Sequence, residues 1–189
     1  MGIVHAIYSD PHFNHKNIIR YCDRCGPDGT LFGTVEAMNE HLIEQYNARV
    51  GGQDRVLWLG DCFFKGTYDE NVAIMRRLNG HKLLIRGNHD RGQAAMASLG
   101  FELVAEELVA RIGGRTCRLS HYPYAGLARA GDLRYVSRAP KKIRGEVLIH
   151  GHTHSNKRRV DNRICVCVEA WNYGPAPFDE VRSLVMEVP

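Results

Sequence analysis

Five short apolar runs in this chain each end in a small residue that is followed at once by Asp, Asn or His. The runs cover residues 3–8, 55–59, 82–85, 116–119 and 146–149. Short runs rich in Val, Ile and Leu are typical of strands buried on both faces of a sheet. Amphipathic stretches separate several of these runs, and such an alternation indicates a layered α/β domain.

Three of the intervening stretches have a helical pattern. We predict helices over residues 35–50, with Thr34 as N-cap, over 68–78, which stops near Asn79-Gly80, and over 91–99, which ends at Gly100. The Gly pairs at 51–52 and 113–114 are typical of turns. With no internal repeat and no linker-like stretch, the 189 residues are predicted to form a single domain, 1–189.

The polar residues behind the five runs form one set of potential metal ligands. They are Asp10 and His12, Asp61, Asn88 with His89 and Asp90, His121, and His152 with His154. In an open α/β sheet, ligands bind beyond the carboxyl ends of the strands, so we expect these side chains to converge. A single Asp or His after a strand is more often a helix cap or an ordinary polar group. Five such strand ends together favour a functional site.

The composition of this set indicates a catalytic metal site. Imidazole, carboxylate and amide groups suit zinc, manganese, iron or nickel, and no cysteine belongs to the set. Seven or more such ligands exceed the needs of one ion. They suit two divalent ions about 3.5 to 4 Å apart, bridged by a carboxylate and by a water of depressed pKa.

With these motifs the sequence resembles the calcineurin-like metallophosphoesterases, in particular their short, uncapped members from bacteria and phages. The resemblance implies an α/β fold, a sandwich of two β-sheets flanked by helices. It implies that one metal takes Asp10, His12, Asp61 and His154. It implies that the other takes Asp61, Asn88, His121 and His152, with Asp61 as the bridging carboxylate.

The same resemblance assigns catalytic roles to Asp61, Asn88 and His89. His89 would contact the phosphate and either stabilise developing charge or protonate the leaving oxygen, and histidine side chains titrate near neutral pH. The nucleophile would be a hydroxide that bridges the two metal ions. Asp90 could orient His89 through a hydrogen bond or could cap the helix that follows.

Departures from better-known branches narrow the substrate class. Protein serine/threonine phosphatases continue the Gly-Asp motif with an Asp-Arg pair, whereas Cys62-Phe63 follows here, and their third motif ends in Glu rather than Asp90. A phosphodiester or nucleotide is therefore favoured over a phosphoprotein. Two alternatives remain open, a noncatalytic metal-binding interaction scaffold and a nucleic-acid-binding protein of the same fold. Scaffolds of this kind usually lack one or more ligands, and none is missing here.

Several other residues are candidates for substrate contact. His15 and Lys65 follow the first two motifs closely. They could bind substrate, or they could be ordinary exposed polar residues of a loop. The stretch 129–144 is rich in Lys and Arg and contains Tyr135, so it could track a nucleic-acid backbone or form a solvated basic face. Trp171 and Tyr173 could stack on a base or pack under the sheet edge.

Cysteine usage and charge add weaker constraints. Cys22 and Cys25, with Cys165 and Cys167, could hold a structural zinc, but buried thiols are the commoner use. No apolar stretch approaches membrane-spanning length and no secretory signal is visible, so a cytoplasmic protein is expected. The formal net charge of +4 fits an anionic substrate without being specific for one.

Overall fold

The computed structural model describes residues 3–125 and 137–189. It contains two five-stranded sheets. The first has the order β10-β1-β2-β3-β4, and its strands are β1 Ala6–Tyr8, β2 Arg55–Trp58, β3 His81–Ile85, β4 Phe101–Ala105 and β10 Ala176–Pro177. Strands β1 to β4 are parallel, and β10 is antiparallel to β1.

The second sheet has the order β5-β6-β7-β9-β8. Its strands are β5 Glu107–Ile112, β6 Arg115–Ser120, β7 Val147–His150, β8 Arg159–Val160 and β9 Arg163–Cys165. The three central strands β6, β7 and β9 are parallel, while β5 and β8 are antiparallel to their neighbours. The predicted fold class, an α/β sandwich of two β-sheets flanked by helices, is confirmed.

Strand residues of the first sheet alternate between two hydrophobic cores. Tyr8 and Trp58 face the core that the sheet shares with the helices, whereas Ile7 and Leu57 face the core between the sheets. Successive side chains of a strand point to opposite faces, so burial on both faces requires an unbroken apolar run. This is why the strand candidates read as continuous apolar runs in the sequence.

Five α-helices lie in the part of the chain that the structure describes. They are α1 Ile18–Tyr21, α2 Val35–Asn47, α3 Tyr68–Arg77, α4 Gln93–Ser98 and α5 Phe178–Met186. The predicted cap of α2 is confirmed, since the Thr34 hydroxyl accepts a hydrogen bond from the Ala37 amide at 3.1 Å. Helix α3 begins with a capping box in which Thr67 and Glu70 satisfy each other's backbone amides.

Some predicted bounds were wrong by a few residues. The first strand starts at Ala6 rather than at residue 3, and Ile3 is exposed before the ladder begins. Helix α2 ends at Asn47 rather than at 50, and α4 begins at Gln93 with Gly92 as N-cap. Within the described ranges 3–125 and 137–189, no helix is long and apolar enough to cross a membrane.

Candidate metal centre

The five motifs lie at one edge of the sandwich. They follow β1, β2, β3, β6 and β7, whose carboxyl ends point the same way within each sheet. Backbone hydrogen bonds connect the loops: the Asp10 amide donates to the Gly60 carbonyl at 3.1 Å, and the Gly151 amide donates to the His121 carbonyl at 3.1 Å. The predicted convergence of the motifs is therefore present in the structure.

The first cluster consists of Asp10, His12 and His154, whose ligand atoms all lie within 4.8 Å of one another. Asp10 Oδ1 is 3.8 Å from Nε2 of His12 and 3.8 Å from Nε2 of His154. The other carboxylate oxygen of Asp10 accepts a hydrogen bond from the His152 amide at 2.9 Å. One oxygen is thus fixed by the backbone, and the second is left directed at the two imidazoles.

The second cluster consists of Asp61, His121 and His152, again with all ligand atoms within 4.8 Å. The His121 ring lies with Nδ1 2.7 Å from the Leu59 carbonyl, which makes Nδ1 the protonated nitrogen of the neutral ring. His121 Nε2 is 3.1 Å from Asn88 Oδ1 and 3.2 Å from His152 Nδ1. The amide oxygen of Asn88 therefore adds a fourth potential ligand to this cluster.

Asp61 lies between the two clusters. Its Oδ2 atom is 3.4 Å from His12 Nε2 on one side and 3.4 Å from His121 Nε2 on the other. Its Oδ1 atom accepts a hydrogen bond from the His89 amide at 2.9 Å. Burial alone would raise the pKa of Asp61, but the facing imidazoles of His121 and His12 hold that pKa far below its usual range. The group is a carboxylate at neutral pH.

The two histidines that face Asp61 differ in charge state. Burial lowers the pKa of His12 well below its usual value, so that ring is neutral. Burial also opposes the charge on His121, but the carboxylates of Asp61 and Asp10 outweigh it and raise the pKa of His121 to about 9. In the absence of a cation, a proton on His121 partly balances the acidic groups.

The ligand-bearing loops have unusual backbone conformations. Asp10, His12, Asp61, His152 and His154 all have positive φ, between 49° and 65°. Positive φ is uncommon outside glycine and concentrates at functional sites, where it costs on the order of 1 kcal/mol or more per residue.

Glycines allow the loops to approach each other closely. A Cβ at Gly87 would lie 2.1 Å from Asp61 Oδ1, and a Cβ at Gly151 would lie 2.3 Å from Asp10 Oδ2. Both contacts are far inside van der Waals distance, so a larger residue would displace the carboxylates. The glycines in these motifs are needed for the geometry of the site.

The residues present suit divalent cations. Asp10 Oδ1 and both ring nitrogens of His12 are buried and have no hydrogen-bond partner among residues 3–125 and 137–189, although buried polar atoms are almost always satisfied. Unpartnered acceptors that face each other across 3.8 Å, one carboxylate and one neutral imidazole, are what a bound cation would satisfy. The donor set of nitrogen and oxygen atoms matches zinc, manganese, iron or nickel.

Two residues of the site were missed from the sequence, Arg24 and Glu169. Glu169 Oε1 is 2.9 Å from His154 Nδ1 and accepts a hydrogen bond from Arg24 at 2.7 Å. Arg24, which is fully buried, also donates to the backbone carbonyls of Asp10 and Pro11 at 2.7 and 2.6 Å. Together they form a buried ion pair that supports the first motif loop and the ring of His154.

Glu169 carried a signal that could have been used. It is one carboxylate inside the otherwise apolar run 164–171, and such a residue needs a buried partner. Its pKa is held far below its usual range, because Arg24 and His154 outweigh the effect of burial. Arg24 lies in a polar loop sequence, and no local pattern distinguishes it from an exposed arginine.

The low-priority substrate residues occupy different surroundings. His15 is buried against the aromatic ring of Phe64, with ring centroids 3.7 Å apart, and its pKa is lowered to about 4, mainly by burial. Lys65 is exposed and lines a pocket that also includes His89. Neither residue belongs to the two ligand clusters.

Asp90 has neither of the two roles that the sequence indicated. Its carboxylate accepts hydrogen bonds from the backbone amides of Asp61, Cys62 and Gly87, at 2.8 to 2.9 Å. It does not cap α4, whose N-cap is Gly92. Asp90 instead ties the loop after β2 to the loop after β3, because three inward-facing amides need an acceptor there.

Trp171 and Tyr173 pack inside the protein rather than offering a stacking surface at the centre. Trp171 is buried between the sheets, and its indole nitrogen donates to the Cys165 carbonyl at 2.9 Å. Tyr173 packs at the edge of the other core, and its hydroxyl accepts a hydrogen bond from the Cys25 amide. The packing alternative was correct.

The cysteines form no four-thiolate site. Across residues 3–125 and 137–189, each group of clustered ligand atoms contains at most one cysteine, and the only group with one is Cys22 with His154 and Glu169. Cys165 and Cys167 are buried, and Cys167 Sγ lies 3.4 Å from Asp10 Oδ2. The Cys167 thiol therefore borders the candidate metal centre.

Part of the basic stretch 129–144 lies outside the described residues, including Arg129, Arg134 and Tyr135. Of the described part, Arg138 pairs with Glu106 at 2.7 Å and lies over the Tyr122 ring. Lys141, Lys142 and Arg144 are exposed.

The fold and the clustered motifs are those of the calcineurin-like class of proteins. The calcineurin-like phosphoesterase superfamily domain matches residues 4–174, and the chain belongs to this superfamily. Proteins of the superfamily are in general metal-dependent phosphoesterases.

Relatives of similar length extend over most of the chain. It is 32% identical over 190 residues to protein MJ1445 of Methanocaldococcus jannaschii, covering 95% of this chain and 89% of that protein. It is 33% identical over 202 residues to the Gene 66 protein of Mycobacterium phage D29, covering 95% and 94% of the two chains. A protein of unknown function from Aquifex aeolicus shares the fold, with a TM-score of 0.67, 23% identity and coverage of 95% and 97%.

Proposed function

We propose that this protein uses two divalent cations to hydrolyse a phosphate ester, and that a phosphodiester or nucleotide is preferred over a phosphoprotein. One observation carries the proposal: two clusters of ligand-type side chains share the carboxylate of Asp61, which faces an imidazole on each side at 3.4 Å. A single carboxylate between two ligand sets is the arrangement that a dinuclear centre requires.

The ligand assignment follows the two clusters. Asp10, His12 and His154 would hold one cation and Asn88, His121 and His152 the other, with Asp61 shared. Two cations held there would supply Lewis-acid neutralisation of phosphoryl charge and an activated water as nucleophile. The carboxylates and imidazoles already face one another, so binding needs loss of protons from the rings but little rearrangement.

Burial indicates the side from which the ester approaches. Asp10, His12, Asp61 and His121 are fully or almost fully buried, whereas the His89 side chain is 34% exposed. His89 Nε2 lies 4.0 Å from Asp61 Oδ2, and the His89 amide is fixed by Asp61 Oδ1. His89 is therefore held at the mouth of the centre, where its imidazole can donate a proton or a hydrogen bond to the departing oxygen.

The completeness of the ligand set argues against the scaffold alternative. Noncatalytic metal-binding scaffolds of this fold usually lack one or more ligands or the histidine at the position of His89, whereas this chain keeps His89 at the mouth of the centre and holds five ligand residues in positive-φ conformations that cost stability. Unpartnered buried acceptors add a further cost that a bound cation would offset.

The test is a turnover assay with manganese, using bis-p-nitrophenyl phosphate and p-nitrophenyl phosphate. We expect metal-stimulated turnover, a loss of about a thousandfold or more in Asp61→Asn, and a loss of about 10²- to 10⁴-fold in kcat for His89→Ala. His81→Ala is the matched control, since His81 pairs with Glu102 at the start of β3, far along the strand from the centre. Absence of metal-stimulated turnover on both esters would contradict the proposal.

A further inference from the structure

An open pocket adjoins the metal centre on the side of His89. It lies between the loop after β2, the first turn of α3 and helix α4, and its walls include Phe64, Lys65, Tyr68, His89, Arg91 and Met96. None of these residues except His89 has a role in the proposed hydrolysis. The pocket therefore needs its own explanation.

The pocket has a fixed aromatic wall. The Phe64 ring is 37% exposed, yet it is held in place by His15, stacked on it at 3.7 Å, and by His89, in edge contact at 4.9 Å. Tyr68 is 46% exposed, and its hydroxyl donates to the Ser98 carbonyl at 2.9 Å, which fixes that ring across α3 and α4. Rigid aromatic rings bind planar groups with little loss of conformational entropy.

The charge around the pocket is positive. Lys65 and Arg91 are exposed and make no ion pair with any residue in 3–125 or 137–189. The nearest carboxylate, that of Asp90, is engaged by three backbone amides. A ligand that combines a flat apolar ring with negative charge would match both the aromatic walls and the unpaired positive charges of Lys65 and Arg91.

The pocket and the candidate metal centre share one wall. His89 lines the pocket, while its ring lies 5.3 Å from the His12 ring and its Nε2 lies 4.0 Å from Asp61 Oδ2. A group attached to a phosphate at the metals therefore has the pocket within reach. An aliphatic substituent would leave the aromatic wall without a partner.

We propose that this pocket binds the aromatic base of a nucleotide whose phosphate is held at the metal centre. The inference rests on the proposed phosphoesterase function and specifies its substrate class. Phe64 is the stacking residue, Tyr68 shapes the opposite side, and Lys65 with Arg91 attract the anionic part of the ligand.

Calorimetric titration of the manganese-loaded full chain with adenosine 5′-monophosphate and with ribose 5-phosphate tests the proposal, because the two ligands differ only in the base. We expect the base to improve affinity about tenfold, the usual scale of one base stacked on an aromatic side chain. Phe64→Ala should reduce this advantage to less than about twofold while ribose 5-phosphate binds as before.

A second variant tests the pocket without changing Phe64, the ring that contacts His89. Ala95→Trp, on α4, should fill the pocket from the opposite wall and also abolish the advantage of the base. Val109→Ala changes an exposed apolar residue on β5 of the other sheet and is the matched control. In this variant the base should still improve affinity about tenfold.

Two outcomes separate the two proposals. Equal affinities for the two ligands in the unmodified protein, with manganese-dependent turnover of p-nitrophenyl esters intact, would overturn the base pocket and leave the phosphoesterase proposal standing. Absence of metal-dependent turnover together with failure of both ligands to bind would overturn both. An unchanged base advantage in Phe64→Ala and Ala95→Trp would also overturn the pocket.

Discussion

The two ligand clusters are supported in different ways. In the first, His154 is oriented by the carboxylate of Glu169, which in turn pairs with the buried Arg24. In the second, His121 is oriented by a neutral backbone carbonyl, that of Leu59. A carboxylate behind a histidine increases its basicity and fixes its orientation more strongly than a carbonyl does. The comparison indicates that the first cluster is the more strongly organised half of the centre.

The largest expected effect concerns the buried ion pair of the first cluster. Glu169→Leu should lower the free energy of unfolding of the metal-free protein by about 3 to 5 kcal/mol, because it leaves the fully buried charge of Arg24 without its partner. Urea unfolding in the presence of a chelator measures this change.

The matched control is Glu146→Leu. Glu146 also pairs with an arginine, Arg118, but this pair is partly exposed and distant from the metal centre. Loss of this pair should lower the free energy of unfolding by about 1 kcal/mol or less. Equal losses of unfolding free energy in the two variants would show that the Arg24–Glu169 pair stabilises the fold no more than the Arg118–Glu146 pair does.

The second prediction separates the affinities of the two clusters. Glu169→Gln keeps the shape of the side chain but removes its charge, so the first cluster should lose about 10- to 100-fold in cation affinity while the second is unchanged. Titration with manganese should then resolve two binding steps that lie closer together than in the unmodified protein, or in reversed order. An equal loss of cation affinity in both binding steps would show that Glu169 does not act on the first cluster alone.

The smallest effect is a proton release on cation binding. In the metal-free protein the pKa of His121 is raised to about 9, and the pKa of His154 is raised well above its usual value because Glu169 outweighs burial. Both rings carry a proton at pH 7 that a coordinated nitrogen must lose. Affinity should therefore rise with pH, by at most about tenfold per unit per ring, and level off for His121 above about pH 9.

Calorimetry in buffers of different ionisation enthalpy counts the released protons. We expect about two at pH 7 in the unmodified protein and one fewer in His121→Asn. An affinity independent of pH between 6 and 9 would mean that the rings are neutral before the cation arrives.

Sequence patterns predicted β1, β2, β3, β6 and β7 and the convergence of the motifs, because parallel strands buried on both faces leave a continuous apolar signal. They missed β4, β5, the three-residue strand β9 and the two-residue strands β8 and β10. Residues of β4 and β5 are mostly exposed or half-buried, and such edge strands carry polar residues that hide the pattern. Pro177 in β10 is allowed only because that strand is at a sheet edge.

At the candidate site, the sequence indicated which residues gather but not what lies behind them. The pairing of Arg24 with Glu169 spans 145 positions, and the role of Asp90 depends on amides from two separate loops. Such contacts depend on how the chain crosses from one sheet to the other. Local patterns carry no information about that crossing.

The carboxylate of Asp90 holds the loops of the candidate metal centre in place without help from a cation. By holding the amides of Asp61, Cys62 and Gly87 at once, it keeps the loops after β2 and β3 in register through protein contacts alone. If the proposed cations leave, the loops are therefore expected to keep their positions. Rebinding would then require dehydration of the ion and loss of protons from the histidines, but no refolding of the loops.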